Sequence, residues 1–247
     1  MKTFRVMLKN EFKMSLRGMD MVIFSVIMPI IVLVILGIIF KQKPAFDGAD
    51  YTFLEQSFGA LASIAICAGG VMGLPLVVSD YRSKSILKRY HVTPVKPSLI
   101  LFVEVVIYMI YATISLVSLF LLATIFFDFR LRGSIVLFLL GWFLVMVSIF
   151  SIGIMVGGIA KDSKIAGVIA STLYFPMLIF SGATLPYEVM PEAMQRIVNV
   201  LPLTQGIKIL KNATLGLPIE NVGISILILI ALTVICSVIG IKYFKWE

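Results

Sequence analysis

Six long stretches without a charged side chain dominate this sequence of 247 residues. A helix needs about 20 apolar residues to cross the hydrocarbon core of a bilayer, and each stretch reaches about that length. Hydrophobic residues make up 60% of the chain and charged residues 14%, whereas soluble domains average about 45–50% and about 25%. The sequence therefore predicts an all-α polytopic membrane protein. Its six spans are expected at Met21–Phe40, Ser57–Val78, Val105–Phe127, Gly133–Ala160, Ile165–Leu185 and Asn221–Ile241.

The loops between these spans differ in their content of lysine and arginine. One side of the membrane, which includes both chain termini, would carry 14 of the 21 basic residues, and the other side would carry 7. Because an excess of basic residues marks the cytoplasmic side, both termini are expected in the cytoplasm. In a soluble protein the net charge of +8 would suggest nucleic-acid binding. Here membrane orientation and contact with anionic lipid explain it better, so no nucleic-acid partner is expected.

Residues 1–20 form a basic amphipathic pattern ahead of the first span. Phe4, Leu8, Phe12 and Leu16 recur at every fourth position, and the basic residues fall mostly on the other side. This spacing predicts a helix that lies in the membrane interface. Two roles stay open for it, a simple anchor at the membrane surface and a contact with a partner protein.

The longest segment between spans on the non-cytoplasmic side covers residues 186–220. Within it, Pro191 can begin a helix and Pro202 must end it. The apolar residues of this helix share one face: Met194, Ile197, Val198 and Leu201. The stretch is too short to span a bilayer. We expect it to dip into the outer leaflet or to lie along it, against neighbouring helices.

Few residues in the chain could carry chemistry. His91 is the only histidine, and the two cysteines, Cys67 and Cys236, lie inside apolar stretches. No catalytic, cofactor-binding or metal-binding residue is therefore expected. The sequence also lacks a phosphate-binding G-x-x-x-x-G-K-[ST] loop. The chain is not expected to be an enzyme by itself, and if ATP drives its function, ATP and magnesium must bind to another subunit.

Two features inside the apolar regions allow more than one interpretation. Glu104 is the only charge there, and its carboxylate could reach the interface, pair with a basic residue or relay protons. The motifs Gly69-x-x-x-Gly73 and Gly153-x-x-x-Gly157 allow helix backbones to approach closely. They could serve packing within the chain, a subunit interface or a substrate pathway.

The only sizeable loop between spans on the cytoplasmic side covers residues 80–97. It can form about two helical turns before Thr93-Pro94 ends them. These turns would concentrate four basic residues: Arg82, Lys84, Lys88 and Arg89. The basic residues could merely enforce the orientation in the membrane, or they could also bind acidic groups of another subunit.

Within this loop, residues 86–95 read Ile-Leu-Lys-Arg-Tyr-His-Val-Thr-Pro-Val. This stretch is similar to the loop after the second span in the type-2 permease family of bacterial ATP-binding-cassette (ABC) exporters. The matching residues are Leu87, Lys88, Arg89, Thr93 and Pro94. Ser85 stands where the family has a glycine, and the family's acidic residues are replaced around Tyr81 and Ser83.

A second resemblance to the same family follows the fifth span. There the chain has Ser-Gly, a proline, Met-Pro and Pro-Leu-Thr in the order of the family's signature. The residues that carry it are Ser181, Gly182, Pro186, Met190, Pro191, Pro202, Leu203 and Thr204. The six-span plan and the chain length agree as well, so the resemblance covers essentially the whole chain.

The resemblance implies that residues 1–247 form a single permease domain of an ABC exporter. The permease would pair with a similar or identical subunit and would dock two ATPase subunits, with the loop around Arg82, Lys84 and Ser85 acting as the coupling helix. The outer helical hairpin would line or gate the extracellular exit through Ser181, Gly182, Pro186, Pro191, Met194, Ile197 and Pro202. Members of the family move drugs, antibiotics, peptides, lipids or polysaccharide precursors across the bacterial cytoplasmic membrane.

A secondary transporter or channel is the alternative, and a membrane-embedded transferase is less favoured. A secondary transporter would need a charged or polar site at the bilayer midplane and symmetry between its two halves. A transferase would need a polar catalytic set. The sequence displays neither pattern, and its apolar spans fit a lipophilic or amphiphilic exported molecule.

Overall fold

The computed structural model describes residues 2–40, 43–46, 48–84, 97–181 and 191–243. In this part of the chain almost every residue is helical, and the only extended pairing is one isolated bridge between Pro44 and Thr52. The predicted all-α fold is confirmed. The helices, numbered along the chain, are α1 (Lys2–Gly18), α2 (Asp20–Phe40), α3 (Phe53–Ser83), α4 (Pro97–Phe127), α5 (Ile135–Ile159), α6 (Ser163–Phe180), α7 (Glu192–Val198), α8 (Pro202–Leu215) and α9 (Gly223–Tyr243).

Six of these helices, α2 to α6 and α9, are long and apolar enough to cross a membrane. This confirms the six predicted spans and defines a multi-pass membrane protein. α3 lies at the centre of the bundle, because 83% of its most apolar part is buried, against 22% in each of α2, α6 and α9. Most of the apolar surface of those three peripheral helices is not covered by the described part of the chain.

Glycine allows α3 to approach its neighbours closely. A Cβ atom at Gly153 of α5 would lie 1.9 Å from the carbonyl oxygen of Gly70 in α3. A Cβ atom at Gly73 would lie 2.4 Å from the ring of Tyr108 in α4. The contacts involve a π-helical turn of α3 over Ala68–Gly73. At these positions both glycine motifs serve packing within the chain.

α1 packs along the first half of α4 through aromatic contacts. Phe4 lies against Phe102 with ring centroids 5.8 Å apart, and Phe12 lies against Tyr111 at 5.6 Å. The Tyr111 hydroxyl also donates a 2.9 Å hydrogen bond to Ser15. Part of the apolar stripe predicted for the membrane interface thus contacts the bundle itself. We call the end of the bundle that carries α1 and the C-terminus of α3 the N-terminal face, and the other end the opposite face.

The non-spanning segment between α6 and α9 contains α7 and α8. Pro202, which was expected to end a helix, also begins α8, where its missing N–H is not needed. Gly206 of α8 packs on Val145 near the middle of α5, whereas Gly216 at the end of α8 lies beside Gly133, just before α5. α8 therefore reaches from the opposite face to about the middle of the bundle. Of its 14 residues, 11 are buried.

The predicted apolar face of α7 is only partly buried within the chain. Val198 is buried and Met194 and Leu201 are partly buried, but Ile197 is 72% exposed and Val200 is 79% exposed. The buried face of α7 is centred on Val198, and Ile197 points away from the rest of the chain together with Val200.

Candidate functional site

Two residues predicted for the coupling loop, Arg82 and Lys84, lie at the C-terminal end of α3. Arg82 Nη1 donates a 2.9 Å hydrogen bond to the carbonyl oxygen of Gly158 in the last turn of α5. Lys84 forms a 2.8 Å ion pair with Asp80, and its side chain is 64% exposed. Arg82 therefore joins two spans, while Lys84 stays at the surface. The remaining predicted coupling residues lie outside the described residues: Ser85, Leu87, Lys88, Arg89, Thr93 and Pro94.

Glu104 lies at the N-terminal face in a cluster with Tyr81 and Glu11. Tyr81 Oη is 2.8 Å from Glu104 Oε1 and 2.9 Å from Glu11 Oε2. Glu104 is 4% exposed, and the ion pairs seen in the described part of the chain do not include it. Its expected pairing with a basic residue is therefore not observed there. A phenol donates only one proton, so both contacts are hydrogen bonds only when one carboxyl is protonated.

On the opposite face, a buried carboxylate joins α3 to the loop before α5. Glu55 Oε2 accepts hydrogen bonds from the Thr52 backbone N–H at 2.9 Å and from Arg132 Nε at 3.0 Å. The Thr52 hydroxyl accepts the Glu55 N–H at 3.2 Å, which completes a capping box at the start of α3. The Glu55 side chain is 5% exposed and that of Arg132 is 41% exposed. This ion pair is not predicted by the sequence pattern. The Thr-x-x-Glu spacing of Thr52 and Glu55 predicts the capping box, but it does not indicate that Arg132 pairs with Glu55.

The loop before α5 is also hydrogen-bonded to the end of α8. The backbone N–H groups of Arg132 and Gly133 both donate to the carbonyl oxygen of Thr214 at 3.0 Å. A Cβ atom at Gly133 would lie 2.0 Å from the carbonyl oxygen of Ala213, so only glycine fits this position without a shift of the backbone. The start of α3, the loop before α5 and the end of α8 thus form one connected unit.

The predicted gate residues differ in their surroundings. Ser181, at the C-terminal end of α6, is 1% exposed, and Pro202 is buried at the start of α8. Met194 is partly buried, whereas Pro191 and Ile197 are exposed. Gly182 and Pro186 lie outside the described residues.

Two buried hydroxyls near these elements have no hydrogen-bond partner within the described residues. They belong to Ser181 and to Thr204 in the first turn of α8. The next residue, Gln205, does have one, because its Oε1 accepts a 2.7 Å hydrogen bond from Ser225 at the start of α9. Buried polar groups are normally paired, so an unpaired hydroxyl marks a position where water or a bound molecule can supply the partner.

The described residues form a bundle of six helices long and apolar enough to cross a membrane, with the two shorter helices α7 and α8 between the fifth and the sixth. This architecture defines a multi-pass membrane protein. Residues 2–215 match the family described as ABC-2 type transporter, and the chain belongs to this family. The resemblance seen in the sequence is thereby confirmed.

Individual relatives match over shorter segments. The chain is 36% identical over 74 residues to the inner membrane transport permease YhhJ of Escherichia coli strain K12. The matched segment covers 30% of this chain and 20% of the relative. It is also 39% identical over 51 residues to nodulation protein J of Rhizobium meliloti strain 1021, and this segment covers 21% of this chain and 20% of the relative. The matched segments thus span about one fifth of the length of these relatives.

Proposed function

We propose that this chain is the permease subunit of an ABC exporter driven by ATP hydrolysis on a separate subunit. The observation that carries the proposal is the family match over residues 2–215 on a bundle of six spans. Because the sequence has no G-x-x-x-x-G-K-[ST] loop, ATP and magnesium would bind on the partner. The chain would supply the pathway through the bacterial cytoplasmic membrane.

The ATPase would dock at the N-terminal face. The Lys84 side chain at the end of α3 is 64% exposed, and the sequence that follows contains the further basic residues Lys88 and Arg89. Basic groups bind carboxylates strongly at a desolvated interface. The bond from Arg82 to Gly158 ties the end of α3 to the end of α5. A displacement of this loop by the ATPase would therefore move both helices together.

This docking requires the N-terminal face to be cytoplasmic, as the distribution of basic residues indicates. A cysteine in place of Asp50 on the opposite face should react with a membrane-impermeant maleimide in intact cells. A cysteine in place of Lys164 on the N-terminal face should react only after the cells are permeabilised. Both positions are exposed, and the native cysteines Cys67 and Cys236 are buried. The reverse labelling pattern would overturn the orientation.

A second permease subunit, identical or paralogous, would cover part of the apolar surface of the bundle. α2 and α6 expose large apolar side chains, among them Ile31, Ile35, Val168 and Phe175. An amphiphilic or lipophilic molecule, such as a drug, an antibiotic, a peptide or a lipid, could move between two such subunits. The unpaired hydroxyls of Ser181 and Thr204 offer polar contacts near the proposed gate.

The proposal is tested by co-expression and reconstitution with a candidate ATPase that carries the G-x-x-x-x-G-K-[ST] loop. The purified chain alone should hydrolyse no ATP. The co-expressed pair should co-purify and should move lipophilic antibiotics into inverted vesicles only when ATP is present. The control is the same pair with the phosphate-binding lysine of the ATPase replaced by alanine, which should be inactive. ATP hydrolysis by the isolated, contaminant-free chain would contradict the division of labour.

A further inference from the structure

A cavity of about 500 Å³ lies on the opposite face between α5, α8 and α9. Arg132 and Ser134 line one end of it, and Leu137, Leu144 and Ile226 are among the apolar residues that line the rest. Within the described part of the chain no aspartate or glutamate lines this cavity. The cavity therefore has a polar end formed by Arg132, whose Nε is paired with Glu55, and by Ser134, and it is apolar along its length.

The length of the cavity matches one leaflet of a bilayer. Leu144 follows Ser134 by ten residues along α5, which corresponds to about 15 Å at 1.5 Å per residue. Half of a hydrocarbon core of about 30 Å has the same thickness. The cavity thus extends from the membrane interface to about the midplane. Leu137 and Leu140 are 43% and 61% exposed, so its wall continues onto the lipid-facing surface of α5.

The polar end of the cavity offers more hydrogen-bond donors than the chain uses. The guanidinium of Arg132 carries five N–H groups, and in the described part of the chain only its Nε donates, to Glu55. Ser134 precedes α5 as its N-cap without a capping hydrogen bond from its side chain, so the N–H groups of the first turn also lack that partner. Arginine and free N–H groups at a helix start are ligands for phosphate oxygens.

We propose that this cavity holds one phospholipid with a net negative headgroup, taken from the leaflet on the opposite face. The phosphate would lie at Arg132 and the start of α5, and one acyl chain would run past Leu137 towards Leu144 and Ile226. Such a lipid would fill the space between three helices and would stabilise α8 against the bundle. This site is independent of the ATPase and of the exported molecule.

The test is the thermal stability of the purified chain in detergent, titrated with short-chain lipids. Dioctanoyl-phosphatidylglycerol is expected to raise Tm at concentrations at least tenfold lower than dioctanoyl-phosphatidylcholine, because a ligand that binds only the folded state stabilises it. Inorganic phosphate is expected to have no effect at the same concentrations, since it lacks the acyl chains.

Three variants test whether the lipid binds at Arg132 and Ser134. Arg132→Gln and Ser134→Glu should each weaken the effect of phosphatidylglycerol at least tenfold. Arg130→Gln, which changes an exposed arginine in the same loop that does not line the cavity, should titrate like the wild type. Should Arg132→Gln fail to fold because Glu55 loses its partner, Ser134→Glu alone carries the test, since Ser134 is exposed.

The proposal fails if phosphatidylglycerol and phosphatidylcholine act equally, or if neither raises Tm. It also fails if Ser134→Glu titrates like the wild type. An equal effect of inorganic phosphate would show an anion site that does not recognise lipid, and would overturn the proposal as well.

Discussion

A chain in which Lys88 and Arg89 are both replaced by glutamine should insert and accumulate normally but lose most of its ATP-driven transport. Both residues belong to the segment that resembles the family's coupling loop. Charge-assisted hydrogen bonds to the ATPase would contribute roughly 1–3 kcal/mol each where they are desolvated. The two losses together amount to at least about 2 kcal/mol, and about 1.4 kcal/mol corresponds to a factor of ten, so the double variant should weaken ATPase association by about 25-fold or more.

The matched control removes two other basic residues on the same face. Lys161 lies between α5 and α6, and Lys164 lies in the first turn of α6. Both are part of the predicted cytoplasmic charge. Their double replacement by glutamine has the same effect on net charge and should leave transport unchanged. Membrane abundance, pull-down of the ATPase and vesicle transport should be measured for both variants. Wild-type transport by the Lys88/Arg89 variant would mean that these two residues only set the orientation.

The six spans could be predicted because each is a continuous apolar stretch, a signal that does not depend on neighbouring helices. α8 could not be predicted in the same way. It has only 14 residues and includes Lys208, Lys211 and Asn212, so its sequence reads as a surface segment. It is buried because glycines such as Gly59 and Gly206 let α3 and α5 approach it closely. That contact is a property of three helices, not of one.

Among the polar contacts, those between residues close in sequence could be predicted, and those between residues far apart in sequence could not. The capping box of Thr52 and Glu55 is readable, because its two residues are three positions apart. The partner of Glu104 could not be predicted from the sequence, because Tyr81 lies 23 positions earlier on another helix. Lysine and arginine were the natural candidates for a carboxylate by charge, and nothing in the sequence favours a tyrosine. Ile197 shows a further limit, since a helical spacing places it on one face with Met194 and Leu201 but does not decide whether the chain itself covers its side chain.

α3 and α5 are joined at three levels of the bundle. Glu55 bonds to Arg132 just before α5, and Arg82 bonds to Gly158 at its other end. Between these two contacts the carbonyl group of Gly70 lies directly against Gly153. If the loop after α3 receives the motion of an ATPase, these contacts decide whether α5 follows. The middle contact has no room for any side chain.

Replacing Gly153 by alanine should therefore destabilise the chain strongly. Its Cβ would lie 1.9 Å from the Gly70 carbonyl oxygen, so the two backbones must separate, and such overpacking costs about 1–3 kcal/mol or more. The control is Gly167→Ala in α6, where the nearest atom, of Leu76, is 3.5 Å from the added Cβ. Both changes gain the same helix propensity, so the difference in Tm in detergent and in membrane abundance reports the contact alone. Equal Tm values for the two variants would show that α3 and α5 can separate at this level without cost.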